Sequence, residues 1–289
     1  GDIGLGLESR FDRIASSNMG NHDRNNHGAY AEFRTERLKN MSINVGTYLN
    51  YNTQYGWQLY PDIDLGYRIA SDWKIVFNTG SSQRIPSFTD LYLNQRPGNI
   101  GNPDLFSEDA WQSEGAIKFQ RKNFRAHAGY FYRDIQHFID WVRTDTNEPF
   151  QPFNVGKNKV KGIHSSFQYT FRANDIDYGV NLGYNYLDAS VVQKEGMLSK
   201  YRLENLKHQA KLLLMMNSNT WTASITNRFH ERVSAKSYFL SDIRVGYNLP
   251  FLSLYLDAQN VFDVTYIETG AIPMPGRWYS FGVKYAWNK

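Results

Sequence analysis

Apolar and polar positions alternate with period two along most of the chain. From Ile243, the set Ile243, Val245, Tyr247 and Leu249 interleaves with Arg244, Gly246 and Asn248. Leu252, Leu254, Leu256 and Ala258 interleave with Ser253, Tyr255, Asp257 and Gln259. The same pattern runs through Ile63–Leu65–Tyr67–Ile69, through Tyr178, Val180, Leu182, Tyr184 and Tyr186, and through Tyr279, Phe281, Val283, Tyr285 and Trp287. Successive side chains of a strand point to opposite faces, so each run predicts a strand with one apolar and one polar face. About fourteen such strands can be counted, several of ten residues or more, where strands of soluble proteins run to roughly five or six. A tilted strand needs about 9–11 residues to cross a bilayer, and the lengths favour a membrane barrel over a soluble sandwich.

The connections between these strands alternate in length. Long ones fall at 15–27, 50–56, 83–109, 144–153, 190–203, 230–236 and 263–275, and short ones at 38–40, 70–72, 121–123, 173–175, 217–219 and Pro250. Outer-membrane barrels segregate short periplasmic turns from long external loops in this way. In such a wall the apolar set faces lipid, because Arg or Lys at the bilayer midplane costs about 2–4 kcal/mol. Arg68, Lys118, Arg125, Arg133 and Arg244 then line the interior, as do Asp62 and Asp64. No edge can be left open in hydrocarbon, so the sheet must close, alone or within a larger wall.

Composition sharpens this picture. The 289 residues include 20 Tyr, 18 Phe and 7 Trp but no Cys, and mean hydropathy is -0.57. The longest apolar run, Leu212 to Met216, is far short of the roughly 20 residues of a spanning helix. An aromatic-rich yet polar chain is expected when only alternate residues meet lipid. The formal charge of +4 is dispersed, with no basic block that would point to nucleic acid as a partner. Gly1 to Arg10 carry no secretory signal, the expectation for a mature or partial chain. No nucleophile elbow, phosphate loop or H-E-x-x-H occurs, and the seven His lack metal-ligand spacing. The reading is therefore of no catalytic site, no metal and no cofactor.

Several stretches carry a family resemblance. Arg84-Ile85-Pro86 leads through Leu91-Tyr92 to Gly101-Asn102-Pro103-Asp104-Leu105, Glu108 and Glu114, with Ser107 where a proline is usual. Asn154-Val155-Gly156-Lys157 continues to Lys161-Gly162, with His164 in place of a glutamate. Gln259-Asn260-Val261-Phe262-Asp263 is followed by Pro275-Gly276-Arg277, and Asn288 and Lys289 follow Trp287 where the family ends on an aromatic residue. In order and over nearly the whole chain, these resemble the signatures of TonB-dependent outer-membrane receptors. The resemblance implies a transmembrane antiparallel β-barrel of 22 strands, of which residues 1–289 would supply the last fourteen or so, with the N-terminal plug domain and first strands absent from this chain. It also implies a bacterial outer-membrane location and active uptake of a scarce nutrient. A TonB complex would act through the plug, outer-membrane lipid would surround the wall, and a surface lipoprotein would have room over the loops.

Loop lengths and terminal motifs are most similar to those of cobalamin (vitamin B12) receptors. A haem receptor is the next alternative, lowered by the absence of His from Ile85 to Asp109, with His230 as a substitute. A siderophore receptor and a passive porin-like channel of about fourteen strands follow. Candidate ligand-binding residues in the external loops are Tyr92, Asn94, Arg96, Arg143, Tyr201 and Arg202, since Tyr and Arg bring contact area at small entropic cost. The bland alternative is that Pro86, Pro97, Gly98 and Pro103 only shape a loop end, with 102–105 structural. Trp57, Trp73 and Trp141 read as members of an interfacial aromatic girdle.

Overall fold

The computed structural model describes residues 1–191, 196–200, 206–233, 236–268 and 272–285. In chain order the elements are β1 (Asp2–Ser16), β2 (Gly20–Thr35), β3 (Met41–Asn52), β4 (Gly56–Ala70), β5 (Trp73–Arg84), the one-turn helix α1 (Phe88–Tyr92), β6 (Asn94–Gln95), β7 (Asn99–Ile100), β8 (Glu108–Arg121) and β9 (Phe124–Gln136). There follow β10 (Ile139–Arg143), β11 (Gln151–Asn154), β12 (Asn158–Ala173), β13 (Ile176–Val191), β14 (Leu198–Ser199), β15 (Leu206–Asn217), β16 (Trp221–Arg232), β17 (Tyr238–Asn248), β18 (Leu252–Gln259) and β19 (Trp278–Tyr285). Fourteen of the strands form one antiparallel sheet in the order β1-β2-β3-β4-β5-β8-β9-β12-β13-β15-β16-β17-β18-β19. The count matches the sequence reading of an all-β chain with about fourteen strands. The remaining strands make a three-stranded sheet, β11-β10-β14, and the pair β6-β7, both inside long connections.

The chain divides into two compact units, Gly1–Ala116 with Tyr130–Lys161 and Asp188–Arg202, and Ile117–Gly129 with Gly162–Leu187 and Leu203–Lys289. In the second, cross-strand register sorts the chemistry into rows. Ala223, Val245, Leu256 and Phe281 stand opposite one another from β16 to β19, and the next row is Ser224, Arg244, Asp257 and Ser280. The apolar row is open to the surroundings, with Leu256 at 52% and Phe281 at 67% exposure. In the polar row the Arg244 guanidinium donates to both carboxylate oxygens of Asp257 and Ser280 Oγ donates to the same carboxylate. An apolar outer face with a hydrogen-bonded polar face is the arrangement expected of a wall between lipid and a wet interior.

In the first unit the same sorting holds. Leu5, Leu7, Phe33, Val45, Leu49, Ile63 and Phe77 are exposed on one face. The other carries Glu8, Arg24, Asn26, Tyr48, Asn50, Tyr60 and Asp62, as their mutual register requires. Two connections differ from the sequence reading. β1 and β2 pair up to Ser16 and Gly20 and leave only residues 17–19 as a turn, and β3 and β4 leave only 53–55. The polar run Asn21 to Asn26 shows no alternation, yet it pairs in full register with β1. A strand whose two faces both meet water has no reason to alternate, so period two marks only the part of a strand beside lipid. The short turns at 71–72, 122–123 and 174–175 lie where the sequence placed them, and Lys122, Asn174 and Asp175 take left-handed backbone there.

Candidate functional site

The longest connections in the first unit, residues 85–107 and 137–157, meet each other through a buried polar centre. Ser87 caps α1: its Oγ accepts from Asp90 N at 3.1 Å while its own N donates to Asp90 Oδ2 at 3.0 Å. This reciprocal box fixes the one-turn helix where propensity alone could not. It also aims the Asp90 carboxylate inward. Arg84 donates to Asp90 Oδ2 and to Glu108 Oε1, both at 2.9 Å, and so ties the two ends of the first connection together. The second connection adds two donors, Trp141 Nε1 to Asp90 Oδ1 at 3.0 Å and Ile139 N to Glu108 Oε1 at 2.7 Å. Asp90 and Glu108 are buried, so each hydrogen bond offsets a large desolvation cost.

An apolar cluster of Leu91, Leu105 and Ile139, with Tyr92 against it, seals the centre. Asn102 donates through Nδ2 to Pro152 O at 3.0 Å and through its backbone N to Asp90 O at 2.8 Å. A side chain on Gly101 would meet the backbone of Leu91 and Tyr92 at 2.6 Å, so the position requires glycine. Ser107, in place of the usual proline, accepts from Gln83 Nε2 at 2.6 Å. The 102–105 box is thus structural. The girdle reading of Trp141 is overturned: the ring is 7% exposed and belongs to the loop centre. The reason is that β9 ends at Gln136, His137 turns with φ +53, and β10 leaves the large sheet to pair with β11. Trp57, at 69% exposure, and Trp73 remain on the open surface, and Trp57 touches Tyr51.

Over this base lie four of the candidate ligand residues. Tyr92 stacks on His22, centroids 3.5 Å apart, and its hydroxyl accepts from Gln54 Nε2 at 3.2 Å. Asn94 and Arg96 are exposed at and beside the β6–β7 pair, whose start is tied to the β1–β2 turn by Asn94 N donating to Asn18 O at 2.7 Å. Arg143 lies 4.4 Å over Phe150 and donates to Thr146 O at 2.9 Å. Tyr201 and Arg202 lie outside the described residues. Sequence reasoning missed Lys200, whose Nζ donates to Asn99 Oδ1 at 3.0 Å and sits 5.5 Å over Trp141. It also missed Arg24, which donates to Pro86 O at 2.7 Å beneath Phe88. Neither carries a local signal, since their partners are distant in the chain. On the β3–β4 turn, burial pushes the Tyr55 phenol up to about 12, and its hydroxyl donates to Leu105 O at 3.2 Å.

Arg96, Arg143 and Lys200 bring cationic groups to the loop surface, where Asp104, Asp145 and Glu148 are also exposed, with Asn94 and Asn99 as neutral hydrogen-bonding groups. Such a surface can hold a ligand by cation and amide contacts. Among the described residues no group of three or more His, Asp or Glu could hold a metal ion. The sequence matches, over residues 4–261, the family described as TonB dependent receptor-like, beta-barrel. A curated relative, the vitamin B12 transporter BtuB of Photobacterium profundum, is 25% identical over 232 residues, which are 75% of this chain and 35% of that protein. Among solved structures, the siderophore receptor PirA of Acinetobacter baumannii superposes with a TM-score of 0.78 at 16% identity, covering 99% of this chain and 52% of that one. The FrpB iron transporter of Neisseria meningitidis (F3-3 variant) gives 0.75 at 14%, covering 98% and 52%. The chain therefore spans about a third of the curated relative and about half of each solved receptor.

Proposed function

We propose, from the premise that this chain belongs to the TonB-dependent receptor β-barrel family, that it forms part of the wall and external loops of an outer-membrane transporter that takes up cobalamin. The family is one of outer-membrane receptors and not of enzymes, so the loops are read as a capture surface. The observation that carries the substrate is the relative named as a vitamin B12 transporter, matched over three quarters of this chain. In this reading Tyr92, Asn94, Arg96 and Arg143 contact ligand from the locked loop base, together with Tyr201 and Arg202. Energised release runs through a TonB complex acting on a plug domain outside the 289 residues. The apolar rows contact outer-membrane lipid, and a capping lipoprotein is compatible with the loop surface.

A second reading, a ferric siderophore, draws on Arg96, Arg143 and Lys200, because guanidinium and ammonium groups can pair directly with an anionic complex. Calorimetric titration of the intact receptor with cyanocobalamin, haemin and a ferric catecholate separates the readings. Tight cyanocobalamin binding with weak responses to the others is the expected result. Tight binding of the ferric complex alone assigns the loops to the siderophore, and haemin alone to haem.

A further inference from the structure

On the polar face of β1–β5, directly below the 85–107 connection, register stacks unlike rows one above another. Glu32, Gly46, Asp62 and Gly80 stand opposite one another, then Tyr30, Tyr48 and Tyr60, then Asn50 and Gln58, then Asn26 and Asn52. The tyrosine and amide rows open into a cavity of about 560 Å³, lined among others by Arg24, Tyr48, Asn50, Tyr60, Ser82 and Gln83. Its polar groups are held in place before any ligand arrives. Asn50 Nδ2 donates to Gln58 Oε1 at 2.9 Å, and Tyr60 Oη donates to Gln83 Oε1 at 2.8 Å. Gln83 Nε2 in turn donates to Ser107 Oγ, which ties the cavity wall to the loop base.

We propose that this cavity is a subsite for a neutral, carboxamide- and hydroxyl-bearing part of the ligand. The charges at its rim cancel: Arg10 and Arg24 both reach Asp12, at 3.1 and 3.5 Å, and Glu8 accepts from Tyr48 Oη at 3.4 Å. An anion placed here would face Glu8 while Arg10 and Arg24 are already paired with Asp12, so it would meet repulsion with no free counter-charge. A neutral amide or hydroxyl meets no such penalty. The Tyr48 and Tyr60 oxygens and the Asn50 carbonyl keep acceptor capacity for N–H donors, and the exposed Ser82 hydroxyl has no partner among the described residues. The cavity thus selects for the polar neutral periphery of a ligand, while the cations of the loop surface above would meet any anionic group.

This subsite rests on the cobalamin reading, since that ligand carries carboxamide side chains. The test uses the full receptor containing this chain and cyanocobalamin as the probe, read by calorimetry. Ser82→Trp fills the cavity, and Tyr60→Phe removes one hydroxyl while keeping the ring. Loss of one or two hydrogen bonds of ordinary strength predicts about 5- to 10-fold weaker binding for Tyr60→Phe, and filling the cavity predicts a larger loss for Ser82→Trp. Wild-type affinity in both variants overturns the subsite and leaves the substrate reading standing. Failure of the wild-type receptor to bind cyanocobalamin overturns the substrate reading, and the subsite with it.

Discussion

Single residues in the loop base act at long range. Tyr55 sits on the three-residue turn after β3, yet its hydroxyl donates to Leu105 O, fifty positions on. Burial raises its pKa to about 12, so the folded protein favours the neutral phenol over the phenolate. The sign follows: the folded-state pKa lies above the ordinary value of 10.0, so the contribution is complete below that value and fades as pH rises through about 12. Tyr55→Phe removes the titrating group and the hydrogen bond but keeps the ring, at a cost of about 1 kcal/mol near neutrality. Thermal unfolding of the detergent-solubilised receptor, followed by circular dichroism from pH 9 to 12, checks this. The wild type is expected to lose more stability across that range than Tyr55→Phe, and parallel curves would count against the assignment.

At the scale of elements, Arg84 is the group through which β5, α1 and the start of β8 are joined. Its guanidinium faces two buried carboxylates while its side chain is 47% exposed, so water can replace part of what it provides. Arg84→Ala is therefore expected to destabilise the loop base by about 2–3 kcal/mol, below the cost of breaking a fully buried pair. Hydrogen exchange should show faster opening of Leu91 and Val142 amides with little change in β16 and β17, and unchanged protection at Leu91 would refute the latch. The loop signature around Arg84 and the 102–105 box was legible as a motif, but the role of its residues was not. Trp141 reads locally as one more aromatic residue on an alternating strand, and only its bond to Asp90, 51 positions away, reveals the loop centre. Strand count and most turns were legible because lipid on one side and water on the other impose period two. The 15–27 stretch reads as a loop because that contrast is missing there. Lys200 joins the site through β10 and β14, a pairing of segments more than fifty residues apart that no local pattern encodes.

Across the whole molecule the two-faced sheet carries a consequence for solvent. Large apolar residues on β17, β18 and β19, among them Val245, Leu256 and Phe281, lie open to the surroundings, which a water-soluble domain could not sustain over so large a patch. The neighbouring row holds Arg244 against Asp257, an ion pair that bilayer hydrocarbon would penalise unless it faced the wet side. One row must therefore meet lipid and the other water, and a shift of register by a single residue would exchange them along the entire strand. Single cysteines report on this cleanly because the chain has none of its own. In the receptor reconstituted in lipid vesicles, Cys at Val245 or Leu256 should react with a hydrocarbon-restricted maleimide and resist a charged, water-soluble one. Cys at Ser224 or Ser280, in the Arg244 row, should show the reverse preference. Reaction of both sets with the same reagent would mean that β16–β19 do not separate lipid from water, and the outer-membrane reading of the sheet would fail with them.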